Sequence, residues 1–254
     1  MEGHFRKDGV YYFMPRYTLQ SSAFHNNTRP IIWLDVEKRI NDLEPALTSV
    51  YWADGLKTYA HDPILEDSAR AQRLEFQPWA QLAAEIIRVA MASNSLIAGY
   101  SIPERDLLMA SCPEHTEWID ENYLNANAAK WFRNQRPEVY AEAFRKAEGE
   151  GRKPGLKDFL IQPAVGYAYE TYLLDVEPGT FLGRMRELLA TQNGVYRDLT
   201  NKARHDWVNF IEYNRHDVLG MIHVAGYVKR AGRQVDQRAR AARGSDTRTG
   251  SNAV

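Results

Sequence analysis

The sequence predicts an α/β or α+β chain built around a mixed sheet. Three observations carry that expectation: an apolar run that ends in alternating acids over residues 31–37, a hairpin signal directly after it, and helical apolar spacing through most of the second half. With 254 residues the chain can bury a sizeable core as one large domain or two small ones. No internal repeat with a period of roughly 20–50 residues is present.

The elements run in order along the chain. Val10-Tyr11-Tyr12-Phe13 behind Asp8-Gly9 reads as a short strand after a turn, and the polar residues 20–30 read as a loop. Ile31-Ile32-Trp33-Leu34 continues into Asp35-Val36-Glu37, as a buried strand does when its far end becomes polar. Residues 47–61 hold two β-rich runs around Asp54-Gly55, a strong hairpin signal. Over residues 65–91, Leu74, Trp79, Leu82, Ala83, Ile86, Ile87 and Ala90 recur near the helical period. Residues 95–100 read as a short buried strand, 104–110 as a helix started by Pro103, and 117–133 as a strand leading into a helix. Residues 146–155 (KAEGEGRKPG) are a loop, and 182–189 and 207–228 are helical. From Lys229 onward Arg, Ala, Gly, Ser and Thr dominate without apolar period, which predicts a basic, disordered tail. The expected division is an N-terminal extension with a short strand (1–30), a folded domain with a mostly helical second half (31–228), and the tail (229–254).

Charge narrows the function classes. The chain has 32 basic and 33 acidic side chains, but residues 229–254 take seven of the basic and two of the acidic ones. The body is left with 25 basic against 31 acidic groups, which is unlike an electrostatic nucleic-acid binder and compatible with divalent metals. A single cysteine, Cys112, excludes an internal disulfide framework and a multi-cysteine zinc site. No Gly-x-Ser-x-Gly elbow or Gly-rich phosphate loop is present, and Cys112 has no evident His partner. With no apolar run long enough for a membrane span and no apolar leader segment, a cytoplasmic protein without membrane contact is expected.

Local chemistry concentrates in three acidic segments. Asp35 and Glu37 sit two apart on a strand and project from the same face. Two like charges so placed call for a cation or a proton, and a hard oxygen-preferring ion such as Mg²⁺ or Mn²⁺ suits them. For an isolated Asp-x-Glu the commoner reading is one acid at the core edge and one capping the next helix. Leu174-Asp175-Val176-Glu177 repeats the tetrapeptide without the apolar lead-in and runs into Pro178-Gly179, so it reads as a strand end entering a surface turn. Acids also come just after the strand ending Gly99-Tyr100-Ser101, at Glu104 and Asp106. On the last helix Tyr213 and Asp217 lie four apart on one face.

Taken together, Asp-x-Glu on the first strand, an acid shortly after Gly-Tyr-Ser, and Tyr-x-x-x-Asp on a late helix resemble the three motifs of the DEDD exonucleases in their tyrosine variant, within the ribonuclease H-like superfamily. The resemblance spans about residues 30–228, and Gly155-Leu156-Lys157-Asp158-Phe159-Leu160 is similar to the family's short helix between the second and third motifs. It implies a ribonuclease H-like fold, a mixed central sheet flanked by helices, and 3′–5′ hydrolysis of phosphodiesters with two Mg²⁺ or Mn²⁺ ions. Asp35 would bridge both ions, Glu37 would hold the first, and Glu104 or Asp106 with Asp217 would complete their coordination. Tyr213 would hydrogen-bond the attacking water or the scissile phosphate. The implied substrate is a single-stranded or 3′-end nucleic acid, and DNA and RNA stay equally open because no motif encodes a 2′-hydroxyl contact.

The chain departs from the family pattern at Lys38, where a Thr or small residue is usual, and in the second motif, where apolar residues three and four beyond the ligand favour Glu104 over the more usual Asp at 106. Two other classes compete. A ribonuclease H-like scaffold that has lost chemistry would bind nucleic acid or a protein. His61-Asp62, His205-Asp206 and His216-Asp217 invite an HD-type metal phosphohydrolase, whose all-helical fold conflicts with the strands of the first 60 residues.

Overall fold

The computed structural model describes residues 4–7, 10–13, 16–39, 41–174 and 176–246. Its strands are β1 (His4–Lys7), β2 (Val10–Phe13), β3 (Tyr17–Thr18), β4 (Ile31–Glu37), β5 (Leu47–Trp52), β6 (Gly55–Ala60), β7 (Glu75–Phe76), β8 (Leu96–Gly99) and β9 (Tyr123–Asn125). The short helices are α1 (Ser22–His25), α2 (Glu66–Ala71), α5 (Thr116–Asn122), α6 (Ala129–Gln135) and α8 (Leu156–Leu160). Longer ones are α3 (Trp79–Ala92), α4 (Ile102–Ser111), α7 (Pro137–Gly149), α9 (Pro178–Thr191) and α10 (Asn201–Asp246).

Seven strands make a mixed sheet in the order β3-β9-β8-β4-β5-β6-β7, so the chain is α/β, as the pattern of elements predicts. The apolar run of β4 places it in the centre, parallel to β8 and antiparallel to β5, with Trp33 opposite both Ala98 and Tyr51. Asp54-Gly55 turns β5 into β6 through Gly55 at φ 126°, a value that L side chains rarely adopt.

Alternation along β4 sorts the two faces. Ile32 and Leu34 pack with Trp79, Leu82, Ile86 and Ile87 of α3. Trp33 faces the other way, toward Val218, Met221 and Val224 of α10 and Phe159 and Leu160 of α8. Asp35 and Glu37 succeed Trp33 at the strand's two-residue period, and therefore lie on the α10 side. Gly220 lets α8 lie close against α10: a Cβ there would press into the Leu160 side chain, with Cδ2 at 3.4 Å. The α10 helix thus controls both the acidic end of β4 and the placement of α8.

Several elements differ from their sequence expectation. The helical period over 65–91 is broken because Arg73 takes φ 56° after α2, which sends Leu74 into the core from an extended segment and leaves room for β7 before Pro78 starts α3. Tyr17–Thr18 joins the sheet edge beside β9 and Phe24 of α1 is fully buried, so residues read as part of an N-terminal extension share the main core. Residues 229–246 continue α10, where a disordered tail was expected; the Ala, Arg and Gln of this stretch are helix formers that extend an already docked helix. Residues 247–254 lie outside the described residues. Among the described residues no helix is long and apolar enough to cross a membrane.

The close approach at Gly220 can be checked by urea unfolding. Gly220→Val should lower stability by about 1–3 kcal/mol, the usual cost of overpacking. An unchanged midpoint would mean that α8 does not pack against α10 as described.

Candidate metal centre

Strand periodicity gives Asp35 and Glu37 one face, and helical periodicity gives Tyr213, Asn214 and Asp217 one end of another element; the packing of α10 on β4 brings the two together. The join is specific. Asn214, fully buried, donates from Nδ2 to the Asp35 carboxylate at 2.6 Å and to the Asp35 backbone carbonyl at 3.3 Å. One oxygen each from Asp35, Glu37 and Asp217 lies within 4.8 Å of the others, and all three residues are buried. These three side chains could hold a metal ion.

Glu104 reaches the same place from α4. Ser101 caps that helix, and Glu104 Oε2 accepts from the Ser101 backbone N–H at 3.2 Å and from its hydroxyl at 2.6 Å. This capping box accounts structurally for an acid at position 104, and it also aims the carboxylate back at the end of β8. Gly99 is required for that approach, because a Cβ there would stand 3.0 Å from the Glu104 Cβ. Glu104 is buried and close enough to raise the pKa values of both Asp35 and Asp217.

Magnitudes show why the cluster is chemically unusual. Two unit charges 4.8 Å apart repel by about 3 kcal/mol at an effective dielectric of 20. Three such pairs would approach the whole stability of an ordinary domain, about 5–15 kcal/mol. The repulsion and the burial raise the proton affinity of the carboxyls. Burial, then the charges of Glu37, Asp217 and Glu104, raises Asp35 well above the usual range. Burial and Asp217 do the same for Glu37. Asp217 is pushed up to about 6 by burial, against the opposing influence of the Tyr213 hydroxyl and Lys157. Asp217 Oδ1 is buried without a hydrogen-bond partner among the described residues, an acceptor that a cation, a proton or a donor from solution would satisfy.

The opposite wall is α8 and the loop before it. With Asp35, Glu104 and Asp217, the residues Arg152, Gly155, Leu156, Lys157 and Asp158 line a pocket of about 210 Å³, which Tyr100 and Tyr213 complete. Asp158 accepts from the Gly155 backbone N–H and from Arg152, both at 2.8 Å, which fixes the start of α8. Lys157 stands 4.5 Å above the Tyr213 ring centre. The Tyr213 hydroxyl, buried beside Asp217, Glu37 and Asp35, is held well above its usual pKa, so it stays protonated.

The structure brings Asp35, Glu37, Glu104, Tyr213 and Asp217 together. It does not bring in Asp106, whose side chain is 58% exposed and ion-paired to Arg105 at 3.1 Å; helical rotation two residues beyond Glu104 carries it away from the pocket. Lys38 donates to the Asp42 carbonyl at 2.8 Å instead of reaching the acids. His61 is buried between the Gln77 carbonyl and Thr48, and His205 is exposed, so the His-Asp dipeptides do not assemble a site. His216 is half-buried and hydrogen-bonded to Tyr167 at 2.9 Å. Glu177 starts α9, without the strand expected before it, and Asp175 lies outside the described residues. Sequence reasoning missed Asn214, which holds Asp35, and the placement of Lys157 on the pocket wall. The Ser101-x-x-Glu104 capping box was the available signal that separates Glu104 from Asp106.

No family model matches the sequence, and no curated protein matches it.

The raised carboxyls make a signed prediction about pH. A raised folded-state pKa means that the folded chain holds protons already lost by the unfolded chain, so stability falls as pH climbs from about 4 past 6. In chelator, Asp217→Asn should melt higher than wild type at pH 7.5, whereas the two should converge near pH 4.5. Parallel melting profiles across that range would show that Asp217 is not buried among like charges.

Proposed function

We propose that this chain is a divalent-metal-dependent 3′–5′ exonuclease with a ribonuclease H-like fold, acting on single-stranded 3′ ends of nucleic acid. The observation that carries the reading is the meeting of three buried carboxylates, Asp35, Glu37 and Asp217, from a strand and a helix far apart in sequence, with ligand atoms within 4.8 Å of one another. The orphan Asp217 Oδ1 and the mutual repulsion of the acids fit oxygen-preferring cations such as Mg²⁺ or Mn²⁺. Also supporting it are the hairpin after the first acidic strand, the helix preceding β8, and α8 lying between the second and third acidic segments. The preference for chain ends comes from the motif resemblance.

Asp35, Glu37 and Asp217 would hold the ions, with Glu104 beside them. When bound, two such ions would offset the carboxylate charges, lower the pKa of a bound water and stabilise the leaving oxygen. The protein's own groups perform the positioning. Asn214 fixes the Asp35 carboxylate against rotation. Tyr213, protonated at every working pH, orients a water or a phosphate oxygen by donating a hydrogen bond and does not act as a base. The pocket is acidic until cations enter, so substrate affinity tracks metal concentration.

Two measurements test this. Mg²⁺ or Mn²⁺ should raise the Tm of wild type by binding the folded state, and Asp35→Asn should abolish the shift while staying folded. With labelled single-stranded DNA and RNA, the pair Asp35→Asn and Glu37→Gln should lower kcat by at least ~10²–10³, as expected for loss of preorganised electrostatic groups. The matching change at Asp175 and Glu177 should leave kcat within a few-fold of wild type. Equal losses from both pairs would remove the β4 acids from the chemistry. A metal-induced Tm shift without hydrolysis would favour a binding scaffold that has lost catalysis.

A further inference from the structure

A second cavity, of about 400 Å³, is lined by Tyr172, by α9 with the residues just before it, and by the first turns of α10. Its floor is fixed. Phe181 stacks on Phe210 with ring centres 4.6 Å apart and on Trp207 at 6.3 Å, and both of those rings are fully buried. At the edge, Lys202 and Asp206 satisfy each other at 3.1 Å. Three lining side chains are left over. Tyr172 is 51% exposed, and among the described residues no ring lies against it and no hydrogen bond holds its hydroxyl. Likewise among the described residues, Arg184 has no ion pair and the Asn209 amide has no hydrogen-bond partner. An aromatic face, a guanidinium and an amide that both donates and accepts suit, in turn, a nucleobase face, a phosphate and a base edge.

This cavity adjoins the acidic pocket. Asn209, Tyr213 and Asp217 follow one another at four-residue intervals on α10, so one helix face serves both. The two linings meet where Lys157 Nζ approaches the Val176 carbonyl at 3.4 Å. From Asn209 to Asp217 the helix rises by about 12 Å, several times the ~3.4 Å between neighbouring bases of a stacked strand. A terminal nucleotide at the acids therefore leaves this cavity to the strand behind it. We propose that the cavity between α9 and α10 binds a nucleobase of the substrate strand upstream of the residue being released. The base stacks on Tyr172, Arg184 meets an adjoining phosphate, and Asn209 meets the base edge. The inference rests on the exonuclease reading and adds to it a means of preferring a strand over a short fragment. The charges of the lining suit a base better than a run of phosphates, because Glu177 and Asp206 offset Arg184 and Lys202. Every base has a π-face, so the selection is for length and not for sequence.

Steady-state hydrolysis by the full chain tests this, with a single-stranded dinucleotide and a hexanucleotide that share their 3′ residues, both in Mg²⁺. Wild type should show a KM for the hexanucleotide lower by about tenfold or more, as expected for one stacked base. Tyr172→Ala and Arg184→Ala should raise that KM toward the dinucleotide value and leave kcat unchanged. The same variants should hydrolyse the dinucleotide like wild type, and Tyr172→Phe should keep the low hexanucleotide KM. All should keep the wild-type Tm and its Mg²⁺ shift, since the substituted side chains are at the surface. Equal KM values for the two lengths in wild type overturn the strand site. So does a hexanucleotide KM that Tyr172→Ala leaves in place, or a loss in Tyr172→Ala that falls equally on both lengths. If wild type hydrolyses neither length, the exonuclease reading itself falls, and this inference with it.

Discussion

The bond from Asn214 to Asp35, 2.6 Å long and fully buried, joins the last helix to the central strand at the point where like charges most oppose folding. Asp35 lies at the polar end of an apolar strand, and Asp217 lies one turn beyond Asn214 on α10. Packing of Trp33 against the apolar stripe of α10 forces the two carboxylates toward each other. Hydrophobic burial on either side supplies the free energy, and the Asn214 amide fixes the register. The result is a strained acidic pocket in an otherwise well-packed chain, a pattern typical of sites where stability yields to function.

The same helix organises the far wall. Gly220 admits Leu160, and Leu160 with Phe159 seats α8 so that Lys157 projects into the pocket from a backbone pinned by Arg152 and Asp158. Anionic and cationic walls therefore face each other across a small volume, with Tyr213 touching both sides. Neither wall could be rebuilt without moving α10.

Local periodicity made part of the molecule legible in the sequence. Ile31–Glu37 and the Asp54-Gly55 hairpin could be read because burial on both faces and a turn requiring positive φ leave strong patterns. The helical spacing of Tyr213 and Asp217 could be read for the same reason. Glu104 was separable from Asp106 only through its cap, a local signal of a different kind. Asn214 was not legible, because nothing near an amide on a helix says that it reaches a strand 179 residues earlier. Lys157 stands within a recognisable motif, but its place on the pocket wall depends on the burial of the four other residues of α8. The break at Arg73 was hidden because Leu74 satisfies the helical period while being buried from an extended segment.

Calorimetric titration with Mg²⁺ near pH 6, repeated in two buffers of different ionisation enthalpy, tests the central claim most directly. Asp35 and Glu37 are raised well above the carboxylate range and Asp217 to about 6, so a cation entering the pocket must displace protons. The account predicts saturable binding whose apparent enthalpy changes with the buffer, and loss of that binding in Asp35→Asn. Binding that persists in the variant, or that releases no protons, would contradict a buried carboxylate site on β4 and α10.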